Sequence, residues 1–83
     1  MNDFREQFFT KIAEFFSVDR TSLSDNTTAA NIDGWDSIRH TELILELEDM
    51  YELELPLMEI QAAANLRDLL AVIEKTIAMA QDL

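Results

Sequence analysis

The chain has 83 residues and carries 17 acidic side chains against 6 basic ones, which gives a formal net charge of −11. Nucleic-acid binding needs clustered Lys and Arg to neutralise phosphates, and an anionic membrane surface attracts positive charge, so this balance excludes both as partners. The length suffices for one domain, residues 1–83, with a single core, and the absence of cysteine excludes disulfides and cysteine-based zinc sites.

The first segment has apolar residues at intervals of three or four. They are Phe4, Phe8, Ile12 and Phe15, with Phe9, Ala13 and Phe16 beside them. This spacing predicts a helix from about Asp3 to Phe16. The stretch from Ser17 to Gly34 has no sustained period and is rich in Ser, Thr, Asn and Asp, which favour turns and caps. It predicts a long loop, and loops of this length are often functional.

A second helix is predicted from about Ser37 to Glu52, with Asp36 or Ser37 as its N-cap. At about 100° per residue, one arc of this helix is apolar and should face the core: Leu43, Ile44, Leu47 and Tyr51. Outside that arc, two large apolar residues stand among carboxylates: Ile38 and Leu45 among Glu42, Glu48, Asp49 and Glu52. A protein-docking face has this pattern, because apolar anchors supply affinity and charges supply orientation. Single exposed Leu or Ile residues are also ordinary on protein surfaces.

Two further helices are predicted after the only proline, Pro56. Leu57 to Ala64 could form one short helical turn, and residues 53–55 could briefly extend. Asn65 then caps a last helix, with Asp68 three residues on. The apolar face of that helix comprises Leu66, Leu69, Leu70, Ile73 and Ile77. The expected fold is therefore all-α: a small bundle of three main helices plus one short helix, with a long loop between the first and second helices.

The segment around Ser37 carries a distinctive set of residues: Gly34-Trp35-Asp36-Ser37-Ile38, Glu42-Leu43-Ile44, Leu47-Glu48-Asp49 and Tyr51. This set resembles the attachment signature of acyl carrier proteins, and the resemblance spans nearly the whole chain. It implies that Ser37 carries 4′-phosphopantetheine, transferred from coenzyme A by a magnesium-dependent transferase. The thiol of that arm would hold an acyl or aminoacyl group as a thioester. Judged without the resemblance, a serine beside Asp at a helix start is most often only a cap.

The resemblance also implies a docking surface and a set of partners. Its residues would be Asp36, Ile38, Glu42, Leu45, Glu48 and Asp49. The partners would be a phosphopantetheinyl transferase, an acyl- or aminoacyl-loading ligase or transferase, and downstream enzymes of fatty-acid, polyketide or related biosynthesis. The carrier itself would perform no chemistry, so we expect no enzyme. The cargo stays open among fatty acyl, polyketide, aminoacyl and D-alanyl groups.

The chain departs from the family pattern at several positions. Arg39 stands where fatty-acid carriers commonly have an acidic residue, and His40 where a small polar residue is usual. Arg39 sets a positive charge within one turn of Ser37, which would disfavour partners with arginine-rich docking sites. Glu52 replaces a glycine often found after the aromatic residue, and Leu57 to Ala64 matches poorly. These features indicate a specialised carrier.

The remaining features favour a plain helical protein. His40, the only histidine, falls near the core arc, so we expect a half-buried packing role and no metal site. No apolar stretch approaches the roughly 20 residues needed to span a membrane, and the N-terminus lacks a signal-peptide pattern, so we expect a cytoplasmic protein. We also expect the protein to be a monomer. The alternative function is a non-carrier helical module that binds a basic partner, in which Ser37 is merely a cap.

Overall fold

Four α-helices form the chain, and the computed structural model describes residues 4–81. The helices are α1 (Phe4–Phe16), α2 (Ser37–Tyr51), α3 (Leu57–Ala62) and α4 (Leu66–Gln81). No strand occurs within the described range, so residues 53–55 do not form one. The expected all-α bundle of three main helices and one short helix is confirmed. The expected start of the first helix at Asp3 lies outside the described residues.

The apolar faces of all four helices meet in one core. Its buried members are Phe8, Phe9, Ile12 and Ala13 from α1, Leu43, Ile44 and Leu47 from α2, Ile60 from α3, Leu66, Leu69, Leu70 and Ile73 from α4, and Leu23, Ile32 and Leu55 from the connections. The arc predicted for α2 is confirmed, since three of its members are buried and Tyr51 is half-buried. The periodic spacing of apolar residues therefore fixes which side of each helix faces inward.

The long connection between α1 and α2 is anchored on the start of α4. The carbonyl oxygen of Thr27 accepts a hydrogen bond from the Leu66 N–H at 2.9 Å, and that of Asp25 accepts from the Arg67 N–H at 3.0 Å. These two N–H groups belong to the first turn of α4, where a helix has no internal partners for them. The connection also contains two 3₁₀ turns, Arg20–Ser22 and Ala29–Asn31. It is thus a packed segment, which the lack of sequence periodicity did not predict.

The caps of α2 and α4 explain where these helices stop and start. Asn65 caps α4 as expected, because its Oδ1 accepts from the Asp68 N–H at 2.9 Å. At the other junction, Glu52 ends α2 in the left-handed conformation with φ 57°, and its N–H donates to the Glu48 carbonyl. Glycine usually occupies such a position because a side chain is disfavoured there. The glutamate at position 52 therefore strains the backbone where the chain leaves α2.

Truncation of a core leucine in α2 should destabilise the bundle far more than truncation of an exposed one. We expect Leu47→Ala, at a fully buried position, to lower the free energy of unfolding by about 2–5 kcal/mol through the cavity it leaves. Leu45→Ala on the same helix should cost less than about 0.5 kcal/mol. Urea denaturation followed by circular dichroism measures both, and equal losses would contradict this assignment of the core.

Candidate functional site

The start of α2 is capped by Asp36, not by Ser37. The Asp36 Oδ1 accepts a hydrogen bond from the Arg39 N–H at 2.8 Å, the bond expected of an N-cap side chain. Ser37 is consequently the first helical residue, and its side chain is exposed. Its hydroxyl makes no hydrogen bond to any residue that the structure describes. The sequence left both residues open as caps, and the structure assigns this role to the aspartate.

A tight turn at Gly34 precedes the start of α2. Gly34 has φ +88°, a conformation that residues with a side chain rarely adopt. Trp35 follows, and its indole stacks on the ring of Phe16 at the end of α1, with centroids 4.7 Å apart and planes 21° from parallel. The residues immediately before Ser37 are therefore held against α1, which fixes the direction from which the chain enters α2.

His40 completes this aromatic group on the inner side of Ser37. The indole Nε1–H of Trp35 donates to the His40 Nδ1 at 3.1 Å, so Nδ1 must be unprotonated and a neutral ring carries its hydrogen on Nε2. The imidazole is half-buried, as expected, and its burial lowers the pKa of His40 below the usual value. The histidine therefore acts as a hydrogen-bond acceptor that positions Trp35.

Arg39 ties the start of α2 to the end of α1. One guanidinium nitrogen, Nη2, donates to the carbonyl oxygen of Phe15 at 2.9 Å, one of the last carbonyls of α1, which lack helical partners. The guanidinium carbon lies 4.2 Å from the centroid of the Phe15 ring. Its Nη1 lies 3.0 Å from Glu42 Oε1. The arginine thus makes contacts on both helices at once.

Five of the six residues expected in the docking surface are exposed at the start and along the outer side of α2. Ile38 is 70% exposed and Leu45 60%, and Asp36, Glu42 and Asp49 are exposed as well. Glu48 differs, because it is half-buried and its Oε2 accepts from the Leu55 N–H at 2.9 Å. Its carboxylate is therefore already bound to the connection that follows α2.

Three further side chains take part in the site, and the sequence analysis assigned none of them a contact there. Trp35 and Phe16 form the stack behind Ser37, and Lys11 of α1 forms an ion pair with Glu46 of α2. A tryptophan directly after the only glycine was an available signal for the stack. Nothing local in the sequence shows that Lys11 meets Glu46, since that contact depends on how α1 packs against α2.

A small cavity lies between the start of α2, the end of α3 and the start of α4. Its volume is about 70 Å³, and its lining includes Trp35, His40, Ile60 and Leu69. A long acyl chain would require this region of the bundle to open. No group of three or more potential metal-ligating side chains occurs within residues 4–81.

Comparison with known proteins matches this arrangement to one class. Residues 6–73 match the family described as phosphopantetheine attachment site. The acyl carrier protein of Lactobacillus acidophilus is 36% identical over 73 residues, which cover 83% of this chain and 91% of that protein. The solution structure of the holo acyl carrier protein from Geobacter metallireducens is 30% identical, with a TM-score of 0.83, covering 98% of this chain and 93% of that one.

The fold and the site therefore define the class of four-helix carrier domains. The chain belongs to the acyl carrier protein family, whose members hold a covalently bound 4′-phosphopantetheine. It is a carrier that presents an acyl or aminoacyl thioester, and not an enzyme. As a family member it interacts with a phosphopantetheinyl transferase and with biosynthetic enzymes. The comparisons give no support to the alternative of a non-carrier interaction module.

None of the helices between residues 4 and 81 combines the length and the apolar character that crossing a bilayer demands.

The capping assignment predicts unequal effects on stability for substitutions of two adjacent residues. Asp36→Ala should lower the free energy of unfolding by about 1 kcal/mol, because the Arg39 N–H loses its acceptor. Ser37→Ala should change the free energy of unfolding by less than about 0.5 kcal/mol, since the serine hydroxyl makes no hydrogen bond to the described residues. Urea denaturation of both variants tests this. If Ser37→Ala were the more destabilising change, the serine would be the cap after all.

The Trp35–His40 hydrogen bond should be lost on acidification. Because the folded-state pKa of His40 lies below its usual value near 6.5, the neutral ring stabilises the fold fully above about pH 6.5. That contribution declines as the pH falls through the folded-state pKa. We expect NMR to show the His40 ring titrating below pH 6.5, with the Trp35 indole N–H resonance shifting at the same midpoint. In His40→Phe the indole resonance should show no such step, and an unchanged step would contradict the contact.

Proposed function

We propose that Ser37 is the residue that carries the 4′-phosphopantetheine of this carrier. The observation that supports this most directly is the division of roles at the start of α2. Asp36 supplies the cap, so the Ser37 hydroxyl is exposed and free of hydrogen bonds to the described residues. A transferase can therefore reach that oxygen without breaking a contact that holds the fold together. Ser37 also lies within the matched range of the attachment-site family.

The electrostatic surroundings of Ser37 suit a phosphodiester. The N–H groups of Ser37 and Ile38 lie in the first turn of α2 and make no hydrogen bond within the described residues. They point out of the helix start, where the helix dipole favours negative charge by about 0.3–1 kcal/mol. A phosphate ester on Ser37 would gain these donors. The same ester at the other end of α2 would meet the opposite dipole.

The attachment reaction follows from these groups. The Ser37 Oγ forms a bond to the phosphorus next to the pantetheine portion of coenzyme A, and the pyrophosphate bond of coenzyme A breaks. Adenosine 3′,5′-bisphosphate leaves, and the serine proton passes to a base on the transferase. When bound, the arm supplies a thiol that forms a thioester with the cargo. The residues of this chain hold the serine at an exposed helix start and present the neighbouring surface to enzymes.

We assign partner recognition to the start and outer side of α2. The proposed docking surface comprises Asp36, Ile38, Glu42, Leu45, Glu48 and Asp49. The apolar pair within it can enter recesses on an enzyme, and the carboxylates can orient the complex. The specific partners would be a loading ligase or transferase and downstream enzymes of fatty-acid, polyketide or related biosynthesis. We propose that the chain does this work as a monomer in the cytoplasm.

Loading of Ser37 can be tested by intact mass spectrometry. The protein is incubated with coenzyme A, magnesium and a promiscuous phosphopantetheinyl transferase. We expect the wild type to gain the mass of one phosphopantetheinyl group and Ser37→Ala to gain none.

The absence of cysteine supplies an independent readout. Because the sequence contains no thiol of its own, a maleimide dye should label the loaded wild type once and leave the unloaded protein unlabelled. Addition of the group to folded Ser37→Ala would refute the assignment of Ser37. A lack of addition to folded wild type under several transferases would refute the proposed function.

A further inference from the structure

The outermost line of α2 is apolar at two positions. Ile38 and Leu45 are seven residues apart, so they lie within about 20° of each other around the helix and about 10 Å apart along it. They stand on the side opposite the fully buried Leu47 and are 70% and 60% exposed. Large apolar side chains that share one line and begin beside Ser37 form a coherent contact for another protein.

The carboxylates around this line are mostly engaged within the chain. Glu42 pairs with Arg39, and Glu46 pairs with Lys11 of α1. The Glu48 carboxylate accepts the Leu55 N–H. Asp49 forms no ion pair with any residue that the structure describes. Arg39 and Lys11 therefore compensate the charges of Glu42 and Glu46, whereas Glu48 and Asp49 keep theirs.

The Arg39–Glu42 pair is better organised than an ordinary surface ion pair. Side chains on a protein surface lose conformational entropy when they pair, which leaves most such pairs weak. The Arg39 guanidinium is already held by the Phe15 carbonyl oxygen and the Phe15 ring. Pairing with Glu42 therefore costs the arginine little additional freedom. An arginine from a partner would meet a carboxylate whose Oε1 is already bound and whose charge is already compensated by Arg39.

We propose that Arg39 determines partner specificity by masking Glu42, an inference that rests on the proposed function. The preferred partner is an enzyme whose binding cleft takes Ile38 and Leu45 into an apolar recess and places no arginine opposite Glu42. A cleft lined by arginines meets the Arg39 cation within one turn of Ser37 and finds Glu42 already paired. The net charge of the chain still attracts basic proteins at long range. Arg39 therefore discriminates between partners only once they are in contact with α2.

Two phosphopantetheinyl transferases test this selection, one with an arginine-lined carrier cleft and one with an apolar cleft. The measured quantity is the ratio of their kcat/KM values for loading Ser37. Arg39→Gln should shift this ratio toward the arginine-lined enzyme by about fivefold, the effect of one well-formed exposed ion pair. Arg67→Gln on α4 removes the same charge from an exposed position and is the matched control. An equal shift in the control would overturn the proposal, because net charge alone would explain it.

A double-mutant cycle tests the masking itself. Glu42→Gln should lower kcat/KM with the arginine-lined enzyme at least about threefold more in the Arg39→Gln background than in the wild type. Equal losses in both backgrounds would show that the arginine does not mask the glutamate.

Leu45→Ser tests the apolar contact separately. It should lower kcat/KM with the apolar-cleft enzyme by about tenfold or more, and this effect can be measured even if Arg39→Gln fails to fold. No mass gain with either enzyme would overturn the proposed function and this inference together, whereas loading without selectivity would overturn only this inference.

Discussion

One hydrogen bond, from the Arg39 N–H to the Asp36 carboxylate, determines how the start of α2 is organised. It sets the first residue of α2, so that Ser37 enters the helix with its hydroxyl unoccupied. The two adjacent residues therefore have different roles. The Asp36 side chain accepts a hydrogen bond from a free N–H of the first turn, and the Ser37 hydroxyl remains exposed and unbonded to the described residues. The Trp35–Phe16 stack and the Arg39–Phe15 hydrogen bond connect this helix start to the end of α1. A small bundle can then hold an exposed hydroxyl in a defined position without burying it.

The charge of the chain acts differently at long and short range. A net charge of −11 creates a field that basic proteins experience at a distance, although salt screens it beyond about 10 Å. Close to α2, internal pairing through Arg39 and Lys11 reduces that field and leaves the apolar pair prominent. Under our proposal, attraction and recognition depend on different residues. A carrier that must release each enzyme after use benefits from contacts that are selective without being strongly charged.

Local patterns in the sequence were sufficient to predict the helices and the inward faces. The spacing of Phe8 and Ile12, and of Leu43 and Leu47, predicted the buried sides of α1 and α2 because burial follows helical periodicity. The cap could not be assigned, since aspartate and serine have nearly equal capping preference. The contacts of Arg39 with Phe15 and of Thr27 with Leu66 join residues far apart in the chain. Such contacts depend on how helices pack, and no local pattern encodes them.

The strained residue at the end of α2 has a consequence for how this domain could be engineered. Glu52 adopts φ 57°, at the opposite end of α2 from Ser37 and roughly 20 Å away along the axis. A left-handed residue with a side chain costs about 1 kcal/mol, which glycine or asparagine would largely recover. A substitution at position 52 can thus stabilise the domain at a point remote from its exposed serine. Thermal robustness and partner selectivity can accordingly be varied independently in this fold.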